Sequence, residues 1–338
     1  MGFATIIISA VGIVYDYFGY GGEKFLYGLW GLWWVDVALS LVICFGQLHV
    51  MFTRQTHEIS VMTTVWLLPI VTLIVASAAG GVVAQALVPI DTSRVCLTLA
   101  VCMALVTIGI TLAIAIFTIY LQRLIVHGLP EGITIFSAFL PLGPLGQSGY
   151  SFLLLGEICR DMFPLQGDSI SNIFMNEMTP HVLYTLAWVT SFALWSFATC
   201  WLLLALLALG DVLTKNTLPF KITFWGMIFP NGVYANLTIQ LGDSIDSRIL
   251  RVWGAIYAVF TFCLWLFAMY RTLPSIWDGS IFEAPCLTKP EQAELMGEDP
   301  VQESIHSIPP SPVRRVCRLS AGAGVGSGSE MPEKMIPS

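Results

Sequence analysis

The chain has 338 residues, of which 56% are hydrophobic and only 11% charged, with a mean hydropathy of +0.77. That composition excludes a water-soluble globule. The formal charge of -7 and pI near 5.2 identify no partner, because much of the acid lies in connections and tail.

A helix crossing the hydrocarbon layer needs roughly 20 mainly apolar residues. Eight such runs are read, at 3–17, 29–51, 61–88, 95–121, 132–157, 182–210, 221–241 and 250–271. They are continuous rather than alternating, which excludes a transmembrane barrel. In the second run, Trp30, Trp33 and Trp34 read as an interfacial belt, and Asp36 is an ionisable group inside the span. Intramembrane acids are functional candidates by default, so Asp36 is a possible polar pore or coupling residue, against a purely structural reading. His49, His57 and Glu58 read as solvated ends.

The third run carries Pro69 and then Gly80 and Gly81. The fourth is smooth. The fifth carries Pro141-Leu142-Gly143-Pro144-Leu145-Gly146, followed by Gln147 as a possible polar pore residue, and closes near Glu157, read as a solvated end. The sixth follows Thr179-Pro180, where a first-turn proline costs nothing. The seventh carries Phe229, Pro230, Asn231 and Gly232, and the eighth is smooth again. From residue 273 the chain turns rich in Pro, Ser, Gly and Glu, a composition that cannot bury enough apolar area to fold. The division is therefore a transmembrane domain over 1–272 and a disordered tail over 273–338. In the tail, Arg315 and Arg318 before Ser320 form a weak phosphorylation pattern, and with Arg314 they place the tail in the cytosol.

Broken and smooth spans alternate. Each mid-span proline removes a donor and pushes away the carbonyl four residues earlier, freeing those of Val65, Ser137, Leu140 and Gly226. Hydrocarbon cannot satisfy a free carbonyl, so broken spans belong inside and smooth ones face lipid. An inner ring of kinked helices within an outer ring of straight ones is a pore architecture.

Chemistry beyond passage finds no support. The eight cysteines show no ligand spacing, His127 and His181 sit at span ends, and no nucleophile and base recur together. An enzyme, a cofactor, a metal and a nucleic-acid partner are therefore not expected.

Four stretches carry a resemblance: 29–36 (LWGLWWVD), 66–71 (WLLPIV) continuing to Ala79-Gly80-Gly81, 139–147 (FLPLGPLGQ) and 225–230 (WGMIFP). In that order they resemble the fungal sulfite efflux pumps, within the superfamily of tellurite-resistance proteins, yeast malate permeases and slow-type anion channels. The resemblance covers about residues 1–287. It implies an all-α integral membrane protein, a helical-hairpin repeat with inner kinked and outer straight helices around a central pore. Eight of the family's ten helices are present under this mapping, the first two being missing, so an inactive truncated copy is one expectation. It further implies a homotrimer in the plasma membrane, a pore gate matching Phe229, and pore-helix kinks at Pro69, Gly80, Gly81, Pro141, Gly143, Pro144, Gly146, Pro230 and Gly232. Asn231 stands where the family pattern has leucine, and is expected either to contact the anion or to bond kink carbonyls. The expected substrate is sulfite or bisulfite, with a C4-dicarboxylate such as malate as the alternative.

A chain ending at Cys286 should insert as the full chain does. Alkaline extraction of membranes checks this, and release of the shortened chain would contradict the division.

Overall fold

The structure, a computed structural model, describes residues 1–55, 57–130, 132–162, 178–215 and 220–277. All of these fall in the compact unit Met1–Phe282. The tail beyond residue 277, with Cys286, Arg314, Arg315, Arg318 and Ser320, lies outside the described residues.

The described residues form eight α-helices. They are α1 (Gly2–Ser9), α2 (Gly22–Arg54), α3 (Leu68–Leu87), α4 (Thr92–His127), α5 (Leu142–Met162), α6 (Thr179–Lys215), α7 (Ile228–Ser244) and α8 (Arg248–Trp277). α1 continues as a π-helical stretch over Ala10–Tyr17. Local chemistry fixes several ends. The Asp91 carboxylate accepts from the Arg94 backbone N–H at 3.1 Å and so caps α4, and Gly128, at φ 77°, ends it. α8 runs past residue 272 to Trp277 and takes in Pro274 near its end, which the smooth span expected at 250–271 did not include.

Five helical stretches are long and apolar enough to cross a membrane: Gly22–Arg54, Thr64–Leu87, Thr92–His127, Thr179–Thr214 and Arg248–Pro274. Of the other three expected spans, the first is a shorter apolar helical stretch over Gly2–Tyr17, and the fifth and seventh keep only part of their length as α-helix. Ahead of α3, α5 and α7 stand 3₁₀ segments, at Thr64–Leu67, Gly132–Phe139 and Ile222–Met227. The prolines at 69, 141 and 230 fall at or beside the junction in each case. A 3₁₀ bond reaches only three residues back, so it takes up carbonyls that an α-helix would lose at a proline. The Leu68 N–H donates to the Val65 carbonyl, the Leu140 N–H to Ser137 at 3.0 Å, and the Gly143 N–H to Leu140 at 2.9 Å. The Ser137 carbonyl also accepts the Thr64 hydroxyl, which ties the break before α5 to the break before α3.

These helices pack in two layers. α3 packs on α5 and α5 on α7, with α1 against α3. Outside them α2 lies on α3, α4 on α3 and α5, α6 on α5 and α7, and α8 on α7. Burial agrees: 83% of the most apolar stretch of the α3 span is buried, against 28, 39, 28 and 22% in α2, α4, α6 and α8. Outer helices present side chains such as Val42, Leu207 and Ile249 outward, as expected of surfaces solvated by lipid.

Two expectations need correction. Gly80 and Gly81 do not break α3, which is continuous from Leu68 to Leu87. What they provide is room: a Cβ on Gly80 would lie 2.4 Å from Cys102 Sγ and 2.6 Å from the Trp33 ring, and one on Gly81 would lie 2.7 Å from Leu154. Trp33, expected at the interface, is instead fully buried against Gly80, and its indole N–H donates to the Ala76 carbonyl at 2.9 Å. Trp30 likewise points inward, donating to Thr98 Oγ1 at 2.9 Å.

Overpacking a filled interior typically costs about 1–3 kcal/mol. Gly80→Leu should therefore lower the thermal midpoint in detergent clearly, whereas Gly31→Leu, with nothing within 4 Å of its Cβ position, should leave it unchanged.

Candidate functional site

The three broken helices begin at Leu68, Leu142 and Ile228. They run in the same sense, because Gly81 meets Leu154 and Gly146 meets Val233 and Tyr234, each about equally far along its helix. Their positive N-terminal ends therefore lie on one level within the protein. A helix N-terminus carries roughly half a positive charge in exposed N–H groups, so this level favours an anion without a fixed cation.

α5 and α7 meet backbone to backbone near that level. A Cβ on Gly146 would stand 3.1 Å from the Tyr234 nitrogen and 3.2 Å from the Val233 carbonyl carbon, so here only the absence of a side chain lets two backbones meet. One turn earlier Gly143 faces Phe229: a Cβ on it would lie 3.3 Å from Phe229 Cε1 and 3.8 Å from Pro230 Cγ. The aromatic ring thus rests on a glycine, half-buried, beside the break that starts α7. Gly232, by contrast, is open, its Cβ position meeting only Thr261 at 4.0 Å.

The seam continues beyond this contact. Helical residues seven apart share a face, so Gly143, Tyr150 and Glu157 form a stripe on α5, while Phe229, Asn236 and Gln240 form one on α7. Contacts pair the stripes rung by rung: Gly143 with Phe229, Tyr150 with neighbouring Asn236, and Glu157 with Gln240. In the last, the Gln240 amide donates to the two carboxylate oxygens at 3.2 and 3.4 Å. Glu157 was expected merely as a solvated end. Its spacing from Gly143 could have revealed the stripe, but Gln240 offers no sequence signal until α7 is docked.

The remaining candidates scatter. Gln147 is buried one turn past Gly143. Asp36 is buried on the face of α2 that carries Trp33 and Ser40, with no hydrogen-bond partner for Oδ2 among the described residues. α2 makes its main contacts with α1 and α3, so Asp36 belongs to the outer layer and not to the α5–α7 seam. Asn231 is only 1% exposed, and both ends of its amide are engaged: Nδ2 donates to the Met227 carbonyl at 2.7 Å, and Oδ1 accepts from the Tyr257 hydroxyl of α8 at 2.6 Å. Of its two expected roles, it performs the structural one, clamping the break in α7 to the outer helix behind it. Among the described residues, no group of three or more His, Cys, Asp or Glu could hold a metal ion.

A multi-pass helical membrane protein whose broken inner helices aim their N-termini at one level is built for passage of an anion. Comparison with known proteins agrees. Residues 1–273 match the family model described as voltage-dependent anion channel, and the chain belongs to that family. A sulfite efflux pump of Trichophyton rubrum is 34% identical over 273 residues, covering 81% of this chain and 69% of the relative. A sulfite efflux pump of Candida albicans is 27% identical over 261 residues, covering 69% and 50%. A malic acid transport protein of Schizosaccharomyces pombe is 23% identical over 251 residues, covering 74% and 55%. No solved structure gives a significant match. The protein is a membrane anion transporter and not an enzyme.

Asn231→Leu should leave the buried Tyr257 hydroxyl without its acceptor, at a cost of about 1–3 kcal/mol. Lower thermal stability with unchanged anion selectivity is the expected result, and altered selectivity at unchanged stability would return Asn231 to the pathway.

Proposed function

We propose that the protein exports sulfite, as sulfite or bisulfite, across the plasma membrane, the anion moving along the α5–α7 seam past Phe229 as gate. The observation that carries the gate is the placement of its ring: it lies on Gly143, beside the Pro230 break, where the inner helix N-termini converge. An apolar ring in a narrow neck excludes water and ions until it swings aside. The breaks at Pro69, Pro141, Pro144 and Pro230 supply the irregular backbone on which such a neck is built, with Gly143, Gly146 and Gly232 keeping it slender and Gln147 as a polar group alongside.

Two observations favour sulfite over a dicarboxylate. Sulfite efflux pumps stand at 34, 27 and 23% identity to this chain, and malic acid transport proteins at 23 and 22%. Moreover α3 and α7 contain no Lys or Arg, and α5 has only Arg160, near its end. A dicarboxylate would call for paired cations, whereas helix dipoles suffice for a small, weakly held anion that must also leave. A homotrimer and a cytosolic tail, the latter supported by its basic cluster, belong to the same proposal.

The test is growth on sulfite of yeast lacking its own sulfite pump. Expression of the chain should restore growth, and Phe229→Ala should raise sulfite efflux severalfold at equal surface amount. No rescue by a chain that reaches the plasma membrane, together with malate uptake, would move the assignment to dicarboxylates. Unchanged efflux in Phe229→Ala would remove the gate.

A further inference from the structure

We propose that Glu157 is the charge that grades anion passage: ionised, it opposes the anion at the mouth of the α5–α7 seam, and protonated, it lets the anion through. This rests on reading the seam as the anion's path. Glu157 occupies the same stripe of α5 as Gly143, two heptads further on, and its partner Gln240 occupies the stripe of α7 that begins at Phe229. An anion that has passed the Phe229 ring therefore meets this carboxylate next to the exit.

Among the described residues its charge is offset only in part. The ionisable groups within reach are Arg160, Asp161 and Asp243, with Tyr150 two turns back along the stripe. Arg160, one turn on along α5, offsets part of the charge through space, while its direct contacts lie elsewhere: its Nε contacts Asp161 Oδ1 at 2.8 Å, and its guanidinium lies over the Tyr184 ring of α6 at 4.7 Å. Asp243 of α7 is engaged by Arg251 at 3.1 Å, and the same arginine also binds Asp246. From α4 comes Arg94, paired with Asp91 at 3.2 Å, and from α3 no charged residue at all. The hydrogen-bond partner of Glu157 among the described residues is a neutral amide, which orients its carboxylate without cancelling its charge.

A unit charge about 10 Å from a permeating anion, at an effective dielectric constant of about 20, changes the anion's local occupancy by up to roughly tenfold, and Arg160 offsets part of this. Titrating Glu157 should therefore switch flux by up to that factor. The amide donated by Gln240 favours the ionised form, so removing it should move the switch to higher pH.

The experiment uses the full chain in liposomes with nitrate as the probe, since nitrate keeps a single negative charge from about pH 4 to about pH 8 while carboxylates titrate within that range. The wild-type chain should pass nitrate up to about tenfold faster at the acid end. Glu157→Gln should be fast at every pH, and Gln240→Leu should retain the step but shift it upward. A pH step of the same size and position in Glu157→Gln as in the wild type would overturn the proposal alone. Nitrate flux absent from all three chains, at equal reconstitution, would overturn the seam as a pathway and this proposal with it.

Discussion

In an apolar solvent every backbone carbonyl must find a donor inside the protein, and this requirement organises the molecule. The prolines at 69, 141, 144 and 230 would orphan carbonyls in a uniform helix. The chain resolves this by tightening into 3₁₀ turns ahead of α3, α5 and α7, so that Leu68, Leu140 and Gly143 donate over the shorter span. Side chains complete the saturation: the Thr64 hydroxyl bonds Ser137, the Trp201 indole bonds Ala138, and the Asn231 amide bonds Met227. Because these donors come from neighbouring helices as well as local ones, a broken span is stable only when surrounded. That is the physical reason the broken helices form the inner layer.

The outer layer then acts as more than insulation. Trp33 and Trp201 each insert an indole from a straight helix onto a carbonyl of a broken span, Ala76 and Ala138 respectively. Trp195 and Trp188 of α6 donate instead to the side-chain hydroxyls of Thr238 and Ser244 of α7. Large amphipathic rings suit this work, since they fill volume and carry one donor to a defined point. The glycines facing them are the complement, Gly80 making the space that Trp33 occupies.

How much of this was legible in the sequence depends on whether the signal was local. Proline acts on its own turn, so the alternation of broken and smooth spans could be read directly and the inner helices identified from it. The broken spans themselves were less regular than single 20-residue helices, because a 3₁₀ prelude shortens the α-helical part. Gly80, Gly81, Trp33 and Asn231 were misread or left open for a common reason. A glycine can mark a bend or a close approach, a tryptophan an interface or a core, and an asparagine a ligand or a clamp, and only the docked neighbour decides. Asp36 could be singled out as an acid within an apolar run, yet its layer could not be known before α2 was seen to pack on α3 rather than on α5 or α7.

On the path proposed above, the seam between α5 and α7 would combine two obstacles of different kinds along one line. At the Gly143–Phe229 rung the obstacle would be apolar and steric; at the Glu157–Gln240 rung it would be electrostatic. Barriers at separate points of a path add as resistances and each rate falls exponentially with its own barrier, so the higher of the two limits the flux and either can close the path by itself. Such a division also separates their controls. A ring on a glycine responds to movement of the break at Pro230, which Asn231 couples through Tyr257 to α8, while a carboxylate held by an amide responds to protons at the mouth. On the proposed path the helix N-termini, which attract an anion weakly, stand at the Phe229 rung itself, so weak attraction and the steric obstacle share one level while the charged obstacle acts separately near the far end of α5.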